Sequence, residues 1–114
     1  MALEFQPPRS MDQIGLMQEQ LRAACQDLDL EGLLAEAVQA AGVAAWSALV
    51  LAGAEGLSLS LARQPQGLSL GLAFDPVGDQ TPPGLATALF CPPARGAGLR
   101  WREGRRVFEV QWDA

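Results

Sequence analysis

Histidine, lysine, tyrosine and asparagine are absent from this chain, and cysteine occurs only at Cys25 and Cys91. Without histidine there is no imidazole to serve as general base or zinc ligand, and without lysine no Schiff-base amine. Ser10, Ser47, Ser58, Ser60 and Ser69 have no base to activate them, and a Cys–His pair is excluded. A zinc site would have to be built from cysteine and carboxylates alone. Asp75 and Asp79 offer oxygens to a hard cation, but the glycine and proline around them read as an ordinary turn. No carboxylate sits in an apolar run of the kind that raises a glycosidase acid. Gly96-Ala97-Gly98 supplies glycines without the lysine of a phosphate-binding loop. The expectation is a chain that is not an enzyme, with no catalytic residue, no metal and no cofactor.

Other shortages narrow the class further. Charged residues make up 18% of the chain against 49% apolar ones, enough to bury a core within one domain. No run of 18 apolar residues is present, and Met1–Arg9 lacks the basic and apolar stretches of a signal peptide. Two cysteines are too few for a disulfide framework, so both read as reduced and structural in a cytoplasmic protein. Lysine, asparagine and tyrosine use AT-rich codons, so their absence fits a GC-rich bacterial source. The net charge is −5. Residues 1–94 hold ten acids against Arg9, Arg22 and Arg63, whereas residues 95–114 hold five arginines against three acids. An acidic body argues against nucleic acid, which needs a broad basic face.

The patterning divides the chain into elements. Met1–Arg9 reads as an extended arm, because Pro7-Pro8 disfavours helix, and residues 10–114 as a single domain. Ser10 with Gln13 forms a capping-box signal. Ile14, Met17, Leu21, Ala24 and Leu28 then recur at spacings of three and four, which predicts an amphipathic helix. Asp27 or Asp29 can cap a second helix carrying Leu30, Leu33, Leu34, Ala37, Val38 and Ala41, with Gly42 as its stop. Trp46–Ala52 reads as a first strand. Leu57, Leu59 and Leu61, then Leu68, Leu70, Leu72 and Phe74, alternate with small residues and predict two more. Gly84–Phe90 suggests two helical turns, and Leu99–Arg102 with Arg105–Trp112 a closing hairpin. The order ααβββαββ describes an α+β two-layer sandwich, an antiparallel sheet of about five strands with helices on one face.

Three groups of residues point to contact with another protein. Ile14, Met17 and Leu21 form an apolar helix seam that either lies on the body of the domain or pairs with a second helix. Ser58, Ser60, Ser69 and Gly71 lie opposite the leucines on an uncharged strand face, where a second backbone or helix could approach closely. Arg102, Arg105 and Arg106 cluster in the closing hairpin and suit an acidic partner.

"EGLLAEAVQAAGV", "GLSLSLARQPQGLSLGLAFDPVGDQTPPGLATALF" and "GAGLRWREGRRVFEVQW" together resemble the ATP-binding domain of sensor histidine kinases, the GHKL type. The resemblance places Asp75 and Gly78 near a nucleotide-binding loop, with Pro82, Pro83, Leu89 and Phe90 after it. Glu36 and Gln39 stand where that family uses a metal-coordinating asparagine, which implies a domain that has lost ATP binding. In size, acidity and element order the chain is also similar to the small, dimeric chaperones of type III secretion, without their final helix. The expected function is a non-catalytic protein-interaction module, an adaptor, chaperone or regulatory subunit that allows a homodimer. A degenerate nucleotide-binding domain of a phosphorelay protein is the alternative. Neither nucleic acid nor membrane is an expected partner.

Overall fold

The computed structural model describes residues 2–65, 67–75, 96–102 and 104–113. They form an α+β structure: strand β1 (Ala2–Phe5), helices α1 (Ile14–Asp27) and α2 (Gly32–Leu51), and strands β2 (Ser58–Gln64), β3 (Gly67–Phe74), β4 (Gly96–Arg102) and β5 (Arg105–Trp112). The strands make one antiparallel sheet in the order β1-β2-β3-β5-β4. The leucine alternation sets its inner face. Leu59, Leu61, Leu68, Leu70, Leu72 and Phe74 are buried, as are Phe108, Val110 and Trp112 of β5. Met17, Leu21 and Ala24 of α1 and Val38, Ala41, Ala45, Trp46 and Leu49 of α2 complete the same core. Each large member contributes about 1.5–3 kcal/mol by leaving water. The helices therefore cover one face of the sheet, and the closing hairpin forms where expected, with Leu99 opposite Phe108.

Two elements differ from expectation, and the first is α2. It runs through Gly42 without a break, so Trp46–Ala52 is helix up to Leu51 and not a strand. Gly42 is an approach point rather than a stop, since a Cβ there would come within 2.8 Å of Leu21 Cδ1. The stop is Gly53, at φ +76°. Its amide donates to Val50 O and that of Ala54 to Leu49 O, the paired bonds of a Schellman cap. The same motif ends α1. Asp29, expected as a helix N-cap, instead adopts φ +56°, with bonds from Asp29 N to Gln26 O and from Leu30 N to Cys25 O. Aspartate tolerates that left-handed conformation better than most residues. The N-cap of α2 is Glu31, which makes no side-chain cap bond.

The second difference is the N-terminal arm. Ala2–Phe5 is an edge strand of the sheet, pairing Leu3 with Leu61 and Phe5 with Leu59. The fifth strand thus comes from the chain start and not from Trp46–Ala52. Pro7 and Pro8 end it, since neither can donate to a ladder. Both prolines are buried, and Pro8 O accepts a 2.7 Å hydrogen bond from Trp46 Nε1. Ser10 does cap, accepting from Asp12 N at 3.3 Å, but a 3₁₀ turn over Met11–Gln13 intervenes before α1 begins. Arg63 Nη1 donates to Leu28 O at 2.6 Å, placing a cation on the C-cap carbonyl of α1 and tying it to β2. The short helix expected at Gly84–Phe90 lies outside the described residues.

Trp46 and Trp112 are both fully buried, yet Trp112 Nε1 has no hydrogen-bond partner among the described residues. Trp46→Phe orphans the buried Pro8 carbonyl, a penalty of about 1–3 kcal/mol, whereas Trp112→Phe orphans nothing. Urea denaturation should therefore show Trp46→Phe as the more destabilising of the pair by about 1 kcal/mol or more. Equal losses would contradict the role given to the Pro8 bond.

Candidate interaction surfaces

The face of the sheet turned away from the helices carries the small residues. Antiparallel register sets Ser58 beside Ala73, Ser60 beside Gly71 and Ala62 beside Ser69. Ser58, Ser60, Ser69 and Gly71 are thus brought together in one patch, with Ser60 exposed and Ser58 and Ser69 half-buried. Gly71 keeps the surface low, because a Cβ there would meet Ser60 Oγ at 2.9 Å. Carboxylates flank the patch on either side. Glu4 of β1 lies opposite Ser60 and accepts from Ser58 Oγ at 3.3 Å. Glu109 of β5 lies opposite Gly71 and accepts from Gln111 Nε2 at 2.9 Å.

The other expected contact residues disperse. Met17 and Leu21 are fully buried inside the chain, so of that seam only Ile14 reaches the surface. Arg105 is engaged internally. Its Nη2 donates to Gly56 O, and its Nε lies 3.3 Å from Asp75 Oδ1 without an aligned hydrogen bond. Asp75 N in turn donates to Glu55 O at 2.9 Å. These contacts fasten the loop before β2 to the ends of β3 and β5. With both side chains more than a third exposed, the ion pair itself adds at most about 1 kcal/mol. Arg106 is half-buried opposite Phe74, and Arg102 pairs with Arg105 at the hairpin end of β4. Of the residues matched to a nucleotide-binding loop, Asp75 is the one described, and its carboxylate faces Arg105. Gly78, Pro82, Pro83, Leu89 and Phe90 lie outside the described residues.

Sequence reasoning did not single out the outer side of α2. Leu33 and Leu51 are 79% and 75% exposed at its two ends. An open groove of about 550 Å³ lies between the helices, with Ala40, Val43 and Ala44 on the α2 side and Gln18, Glu19 and Arg22 on α1. Glu19 and Arg22 form an ion pair along that rim. The missed signal was the absence of charge: Glu36 is the only ionisable residue in α2. By length and composition α2 could cross a membrane, but half of it is packed inside this structure.

Among the described residues no three histidine, cysteine, aspartate or glutamate side chains converge as a metal site. Cys25 is a free, buried thiol. Burial pushes its pKa up, opposed by a hydrogen bond with Gln39. The sequence matches no known family model, and no characterised protein resembles it significantly.

The raised thiol yields a pH test by comparison of two proteins, since neither lysine nor tyrosine titrates in the alkaline range and Cys91 is common to both. A group whose folded pKa exceeds its unfolded value contributes stability below the unfolded pKa and loses it as pH rises through the folded one. Unfolding free energy should therefore fall as pH climbs past the ordinary thiol range. In Cys25→Ala that alkaline slope should be shallower, although the starting stability is lower. Parallel slopes for the two proteins would contradict the assignment.

Proposed function

We propose that this protein is a cytoplasmic, non-catalytic interaction module, an adaptor, chaperone or regulatory subunit that docks a protein partner on the open face of its sheet. The observation that carries this reading is the make-up of that face. β2 and β3 meet there as serine, alanine and glycine, between Glu4 on one side and Glu109 on the other. A solvated sheet face ordinarily carries larger polar and charged side chains. A low, neutral centre instead lets a second surface approach closely while its own hydrogen-bonding groups meet the serine hydroxyls. The two carboxylates favour a partner that brings cationic groups to the flanks. The scarcity of proton-handling side chains supports a role by contact rather than turnover.

Ser60 is exposed at the centre of the patch, so Ser60→Arg should leave stability within about 0.5 kcal/mol of wild type. A protein that co-purifies stoichiometrically with the wild-type chain should be lost from Ser60→Arg. Equal retention would count against this face as the docking site. Calorimetric titration with magnesium and ATP should give no heat of binding; a stoichiometric nucleotide isotherm would move the reading to a nucleotide-binding domain.

A further inference from the structure

We draw no further inference here: the strongest candidate, the outer edge of the short strand β1, unpaired among the described residues and carrying half-buried Leu3 and Phe5, bounds the sheet as an edge bounds any open sheet, and nothing in the structure shows what covers it.

Discussion

The structure depends on one packing event, the burial of the inner side of α2 on the leucine face of the sheet. Trp46, Val38, Ala45 and Leu49 leave solvent together with Leu59, Leu61, Leu70 and Leu72. Everything else is fastened to that contact. Gly42 lets α1 close on α2 through Leu21, and the Trp46 indole holds Pro8 and with it the edge strand β1. Arg63 fixes the C-terminal end of α1 to β2. An apolar helix with a single ionisable residue has little reason to remain helical in water on its own. It is stable here because one side of it is core.

The same contact determines which parts of the fold were legible in the sequence. Leucines at every second position from Leu57 to Leu61 and again from Leu68 to Leu72, bounded by turns, specify two strands and the face they bury, and the register agrees. The closing hairpin was legible for the same reason. The first half of α2 was legible from the spacing of Leu33, Leu34, Ala37, Val38 and Ala41, but the half after Gly42 was not, because it is apolar on nearly all sides and Gly42 resembles a stop when its helix–helix role is hidden. Gly53, eleven residues further on, carried the true stop signal. β1 was missed because a four-residue edge strand before two prolines has too short an alternation to stand out. For the surfaces, the grouping of Ser58, Ser60, Ser69 and Gly71 came directly from strand alternation. The burial of Met17 and Leu21 follows the reading of α1 as a helix lying on the domain body, whereas the engagement of Arg105 with Gly56 and Asp75 depends on tertiary neighbours that no local pattern reveals.

Among the described residues the features that stand out are two exposed faces, and no three acidic, thiol or imidazole side chains converge. The small-residue face of the sheet and the outer side of α2 with its exposed Leu33 and Leu51 belong to opposite layers of the sandwich. A low count of ionisable groups makes either face inexpensive to cover, because every charge absent from a surface that leaves water is a desolvation penalty avoided.

The continuity of α2 is the feature on which the fold turns. Backbone chemical shifts and amide exchange measured by NMR across Ala37–Ala54 should be helical without interruption through Gly42 and Trp46, ending at Gly53, with the slowest exchange at Ala41–Leu49. Extended shifts from Trp46 onward, or rapid exchange beginning at Gly42, would contradict it.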